Sequence, residues 1–385
     1  MTISADTEKL LTTPLHALHL KSGARMVPFA GYDMPVQFEG VKAEHLWTRQ
    51  HAGLFDVSHM GPCFLTLRDT TLTGDAAHHA IASEIEKLVP SNIAGLKPGQ
   101  ARLTVLLNSA GGILDDLIIT RPEVEELQGT LYIVVNGAMK HDDWRLFKGV
   151  LSETTHLTRA DDRALIALQG PQAVDVLKDF FPGCEDLTFM QSRRMYWNEV
   201  RCGVSRLGYT GEDGFEILIF ADAAAQFAQS LLEDERVKPI GLGARDSLRL
   251  EAGLCLYGHD LNPDIDPVTA DLAWVIQKNR REKADFPGAS IILKKLSSGP
   301  ERKRVGIQPL ERAPAREGTI ITLGDTAIGE ITSGGFGPSV ERPVAMGYVD
   351  LDHAEPGTQV ELLQRGKTRA AEITKLPFVP PNYKR

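Results

Sequence analysis

No apolar run in the 385 residues approaches the ~20 needed to cross a bilayer; LYIVVNGAM and ALIALQG, among the longest, fall well short. Cysteine is scarce. Cys63, Cys184, Cys202 and Cys255 are scattered without a C-x-x-C pair, which argues against a zinc ribbon or a disulfide framework and fits a reducing compartment. Positive charge is in deficit: 42 Lys and Arg against 51 Asp and Glu leave a net charge of -9, unlike a sequence-independent nucleic-acid binder. The opening MTISADTEKLLTTPLHALHL has neither a basic-then-apolar leader nor an Arg-rich transit pattern, so the expected address is cytoplasmic. Familiar catalytic signatures are missing as well. There is no G-x-x-x-x-G-K-[ST], no G-x-G-x-x-G, no H-E-x-x-H and no G-x-S-x-G, and GLGARD offers only the start of a dinucleotide fingerprint. His16 with His19, and His78 with His79, lack a third ligand nearby, so no metal is expected.

What remains is a globular composition, 42% hydrophobic and 24% charged, in a chain long enough for roughly two or three domains. Early on, a short helix pattern around PLHALHLKSG precedes MVPFAGYDMPVQFEG, whose Gly and Pro residues break any regular element. From Asp69 to about Ala160 the pattern is α+β: a helix through GDAAHHAIASEIEKL, strands at ARLTVLLN, ILDDLIIT and LYIVVN, and a helix at AMKHDDWRLFKGVL. Similar material follows to about Asn279. The basic stretch Lys278 to Arg304 then ends in Ser-Ser-Gly-Pro and marks a boundary, beyond which short strands separated by Gly, Pro and Asp turns describe a small antiparallel β domain.

The sharpest chemical signal is a pair of acids inside an apolar strand, Asp115 and Asp116 in GGILDDLIIT. Neighbouring strand residues face opposite ways, so one of the two can reach solvent while the other must look into the fold. Burying an unpaired carboxylate costs several kcal/mol, so such an acid has a partner, a raised pKa or a ligand. Glu216 sits between Phe215 and Ile217 after the Gly-rich turn GYTGEDG; a carboxylate there can accept two parallel hydrogen bonds from an amidine-like edge. Arg245 and Arg249 lie four apart in GLGARDSLRLEAG, able to hold a carboxylate or carbonyl, or to pair with Asp246 or Glu251.

Taken together and in order, PFAGYDMPVQF, GLFDVSHMG, GGILDDLIIT, ALQGP, GYTGEDGFE, GLGARDSLRLEAG, LYGHD, ITSGGFGPS and PFVPPNY resemble the aminomethyltransferase (T-protein) family of the glycine cleavage system. The resemblance runs from near the start of the chain to its last residues. It implies an α+β protein of three domains around a central hole: a discontinuous folate-binding domain over 1–60 plus 160–290, an inserted domain over 61–159, and a C-terminal antiparallel β-barrel-like domain over 300–385. It implies transfer of a methylene unit from the aminomethyl-lipoyl arm of H-protein to tetrahydrofolate, with release of ammonia, in glycine catabolism. Asp116 matches the family's essential aspartate. Glu216 would hold the amino-pyrimidine edge of the pterin, Arg245 and Tyr383 would contact folate or its tail, and Asn136 and Tyr209 would line the pocket. Met60 would line the lipoyl or folate channel. Leu103 and Phe189 stand where some relatives carry tyrosine, which removes any hydroxyl contact there. A monomer with tetrahydrofolate as co-substrate and lipoylated H-protein as partner is expected, without nucleic acid, membrane or metal. The basic run Lys278 to Lys283, with Arg280 and Arg281, is expected to steer the acidic carrier or else to be a solvated charged face. Competing readings are weaker: a flavin-linked relative would add a dinucleotide domain, and EAGLCLYGHD lacks the Lys-Gly-Cys-Tyr motif of the iron–sulfur assembly factor.

Overall fold

Strands buried on both faces read as unbroken apolar runs, and two such runs, Ala52–Asp56 and Arg163–Gln169, pair within the interior of a six-stranded sheet. The computed structural model describes residues 9–385. In the sheet, Gln191–Trp197, Val200–Arg206, Gly214–Phe220, Arg163–Gln169 and Ala52–Asp56 pair antiparallel in that order. Val237–Ile240 joins the far edge in parallel. One face packs on the helix Ala221–Leu232, whose Phe227 meets the rings of Phe180, Phe181 and Trp197. The other face presents Phe55, Leu165, Ala167 and Leu218 to the middle of the molecule.

The segment from Gly61 to Arg159 forms a five-stranded antiparallel sheet, ordered Ala101–Leu107, Ile113–Thr120, Thr130–Val135, Gly61–Leu67 and Thr155–Arg159. The helices Gly74–Ile85 and Lys140–Leu151 cover one face through Ile81, Ile85, Trp144 and Phe147. That face is the apolar stripe expected of amphipathic helices on a sheet. The start of the acid-bearing strand is pinned by Gly112, where an added Cβ would stand 1.7 Å from the carbonyl oxygen of Pro263. Only glycine fits so close an approach.

Residues beyond Glu301 close into a six-stranded barrel, in the order Arg302–Pro309, Arg342–Asp350, Thr326–Gly337, Ile320–Leu323, Gln359–Gln364 and Lys367–Thr374. Ile307, Ile321, Ile331, Leu362 and Ile373 fill it. The barrel is tied to the rest by Arg304, which donates to the carbonyls of Ala270 (2.9 Å) and Gly253 (3.0 Å).

Two expectations change. MVPFAGYDMPVQFEG is regular after all: Arg25–Phe29 and Tyr32–Gln37 form a hairpin whose two turn residues, Ala30 and Gly31, both take positive φ (48° and 80°). Two positive-φ residues make the turn that matches strand twist, and a two-stranded ribbon leaves edges on which Pro28 and Pro35 cost no ladder bond. The basic run is also divided: Lys278, Arg281 and Lys283 are exposed, whereas Arg280 is drawn inward. Arg280 is 1% exposed, ion-paired with Glu86 and Asp285 and donating to the carbonyls of Glu86 and Val89. Arg281 is exposed but donates to the carbonyls of Ile276 and Ala273, so this pair fastens the chain to itself. Among the described residues no helix is long and apolar enough to cross a membrane.

Candidate active site

The inner faces of both large sheets, the helix Leu242–Glu251, the barrel and the C-terminal tail enclose a cavity of about 1100 Å³. Asp116, Asn136, Tyr209, Glu216, Arg245, Met60 and Tyr383, far apart in sequence, all line it. Leu103 and Phe189 line it too. Each reaches the cavity for a local reason. Asp116 and Glu216 occupy inward positions of their strands, Asn136 ends the strand Thr130–Val135, and Met60 ends the turn after Ala52–Asp56. Arg245 projects from the first turn of its helix over the ring of Tyr209, 4.7 Å from its centroid. Tyr383 lies flat on Phe189, with ring centroids 4.0 Å apart and an interplanar angle of 5°. Phe189 thus keeps a stacking role although it carries no hydroxyl.

The polar groups differ in how they are satisfied. Tyr209 donates its hydroxyl to the carbonyl of Cys255. Arg249, one turn beyond Arg245, is saturated: it donates to Asp246 (2.9 Å), Asp260 (2.9 Å) and Ser333 (3.0 Å). It is therefore a strut between helix and barrel, and the paired-arginine reading narrows to Arg245. Among the described residues no side-chain hydrogen bond is made by Glu216 or Arg245; burial raises the carboxyl of Glu216, opposed by the charge of Arg245, and burial lowers the guanidinium of Arg245, opposed by Glu216 and Tyr209. A half-buried acceptor and a half-buried donor fork without hydrogen-bond partners form the half-made contacts that a polar ligand completes.

Asp116 accepts from the side-chain amide of Asn136 (2.9 Å). Burial first, then repulsion from Asp115, pushes its carboxyl up to about 7. The expectation that one of the two neighbouring acids is accessible while the other looks into the fold holds: Asp116 is half-buried at the cavity wall, and Asp115 is fully buried on the opposite side of the strand. Sequence reasoning also passed over His59, 3% exposed at the cavity wall, whose Nδ1 has no partner. Burial, then the positive charge of Arg245, lowers it to about 3 and keeps the ring neutral. Its signal lay in DVSHM, where the attention went to Met60 alone.

Residues 15–280 match the family described as the GCVT N-terminal domain, and residues 302–380 match the glycine cleavage T-protein C-terminal barrel domain. The chain belongs to the glycine cleavage T-protein family. A T-protein relative from Schizosaccharomyces pombe, named a probable mitochondrial aminomethyltransferase, is 42% identical over 386 residues, covering 99% of this chain and 96% of its own. The mitochondrial aminomethyltransferase of Homo sapiens is also 42% identical, over 99% of this chain and 93% of its own. The crystal structure of the glycine cleavage system aminomethyltransferase T from Bartonella henselae superposes with a TM-score of 0.88 at 43% identity, covering 98% of this chain and 100% of that one. The α+β architecture with a closed C-terminal barrel is that of the T-protein family, and the enzymatic class is aminomethyl transfer in the glycine cleavage system.

Proposed function

We propose that the cavity binds tetrahydrofolate and transfers to it the methylene unit carried as an aminomethyl group on the lipoyl arm of H-protein. In this reaction two bonds form, from the carbon to N5 and to N10 of the folate, while its bonds to sulfur and to the amino nitrogen break. The protons that leave N5 and N10 end on the lipoyl sulfur and on ammonia, so no oxidant or protein nucleophile is needed. The observation that carries the reading is a set of under-satisfied polar groups in one apolar cavity: the Glu216 carboxylate and the Arg245 guanidinium, which make no side-chain hydrogen bond among the described residues, and the Asp116 carboxyl, held by Asn136. Glu216 suits the parallel donors of an amino-pyrimidine edge. Arg245 suits a carbonyl or carboxylate oxygen, and the flat ring pair Phe189–Tyr383 with Leu103 and Met60 supplies apolar wall.

Asp116 is the proposed catalytic residue. Ionised above about pH 7, its carboxylate stabilises positive charge developing at the transferred carbon and orients the N10 proton. Asn136 fixes its direction, and Tyr209 stiffens the opposite wall through Cys255. The three units 1–60 plus 160–290, 61–159 and 300–385 are proposed as the domains, because each large sheet and the barrel has its own apolar core. A monomer in the cytoplasm, free of metal and nucleic acid, completes the proposal; the mitochondrial names of the yeast and human relatives make localisation of a tagged full-length chain a direct check. The deciding assay is folate-dependent ammonia release from aminomethylated H-protein. Release without folate dependence, or methyltetrahydrofolate formation from a methylated donor instead, would sink the reading.

A further inference from the structure

His59 is 3% exposed in the cavity wall, and among the described residues neither of its ring nitrogens takes part in a hydrogen bond. Only Nδ1 is sealed from water, so Nε2 is the nitrogen the cavity can reach. A polar side chain this buried and this idle in a cavity wall is a contact waiting for a ligand.

The turn that carries His59 is held tightly. Asp56 accepts from the main-chain N–H of Ser58 (2.9 Å), from the hydroxyl of Thr13 (2.6 Å) and from the ring of His19 (2.8 Å), while Met60 N–H closes the turn on the carbonyl of Val57 (3.1 Å). Lys140 Nζ donates to the carbonyl of His59 (2.9 Å) and to the hydroxyl of Tyr32 (2.9 Å). The ring of Phe29 meets the imidazole edge to face, with centroids 5.3 Å apart. On the remaining side lies Gly137, where an added Cβ would stand 2.9 Å from Cδ2 of the imidazole and 2.8 Å from the carbonyl oxygen of His59. Gly137 follows Asn136, whose side-chain amide donates to Asp116 Oδ1 (2.9 Å), so the imidazole packs beside the segment that orients the proposed catalytic acid.

We propose that Nε2 of His59 hydrogen-bonds the amino nitrogen of the aminomethyl group and holds it as it departs as ammonia. This rests on the reading of Asp116 as the acid that faces the transferred carbon. That carbon is bonded to sulfur and to the amino nitrogen, and it is attacked by folate. Thioether sulfur is a weak acceptor, and the folate nitrogens already face Asp116, which leaves the amino nitrogen for the imidazole. With both N–H groups and a lone pair, an amino nitrogen meets either neutral tautomer of the ring. Burial and the charges of Arg245 and Lys140 keep the ring neutral against the pull of Asp56. His59 therefore orients the leaving nitrogen without giving up a proton, and the protons lost from N5 and N10 still end on sulfur and on ammonia.

The test runs the reaction of the full-length protein backward, from methylenetetrahydrofolate, ammonia and reduced H-protein, where the Michaelis constant for ammonia reports on the nitrogen alone. His59→Leu is expected to raise that constant about tenfold, the loss of one hydrogen bond. Folate dissociation, read by calorimetry, should stay within about threefold of the parent protein. His59→Asn, whose amide reaches only as far as Nδ1, is expected to behave like the Leu variant and serves if that one does not fold. His59→Gln, whose amide reaches about as far as Nε2, is expected to keep most of the affinity for ammonia. An ammonia constant unchanged in the Leu and Asn variants overturns the proposal, and so does a folate dissociation constant that rises in step with it, which would place His59 on the folate instead. Absence of folate-dependent ammonia release in the parent protein would sink the proposed function itself; release in the parent with an unmoved ammonia constant sinks only the role of His59.

Discussion

Asp260, fully buried, and Asp116, half-buried at the cavity wall, are both carboxylates at the centre of the molecule, yet their surroundings are opposite. Asp260 accepts from Arg249, Ser333, Thr332 and the main-chain N–H of Leu256. Asp116 accepts only from Asn136, and its ordinary carboxylate pKa is lost to burial and to Asp115. The same contrast recurs one helical turn apart, between saturated Arg249 and unpartnered Arg245. A buried charge with every oxygen engaged holds elements together; one left short of partners is costly to the free protein and is kept for a ligand.

The largest effect that could break this contrast is expected at the saturated site. Asp260→Ala removes the buried carboxylate partner of Arg249 and leaves it with the exposed Asp246 and with Ser333, and should lower unfolding stability by about 3–5 kcal/mol in a urea titration. A loss below about 1 kcal/mol would show that the barrel seam is held elsewhere. At the unsatisfied wall the cost should fall on the ligand instead. Glu216→Ala is expected to weaken folate binding by about 1.5–3 kcal/mol, read by calorimetry, while leaving the free protein as stable as before or more so. Next, Asp116→Asn should keep folate binding but lower turnover at least about tenfold, or about 1.4 kcal/mol; unchanged turnover removes the acid from the mechanism.

The gentlest probe is pH. Asp115, Asp116 and Asp143 all have folded pKa values near 7 to 8, against 3.8 ordinarily. Their protonated forms favour the fold, so the stability they confer is complete below about pH 4 and is lost as pH rises through 7 to 8. The urea midpoint of the folate-free protein should fall from about pH 4 to about pH 7.5 and level off above that, and Asp116→Asn should flatten that fall. An equal slope in the variant would mean that Asp116 titrates alike in the folded and unfolded chains.

Much of this contrast was legible in the chain. Apolar runs such as RALIALQ and TLYIVV announced buried strands, and two acids inside ILDDLIIT stood out because their environment was apolar on every side. The family motifs then named the cavity residues before any packing was known. What stayed hidden depends on contacts distant in sequence. Proline and glycine density masked the hairpin at Arg25–Gln37, since only pairing reveals that its prolines fall on open edges. Charge density suggested a free surface at Lys278–Lys283, but Glu86, nearly two hundred residues away, draws Arg280 inward.

The ring pair Phe189–Tyr383 puts part of the cavity wall within three residues of Arg385. The cavity thereby becomes sensitive to events in a segment outside the three large cores. Cleavage of the chain before Tyr383, at an engineered protease site, should loosen folate retention without lowering the melting temperature, an outcome that digestion followed by ligand titration would expose.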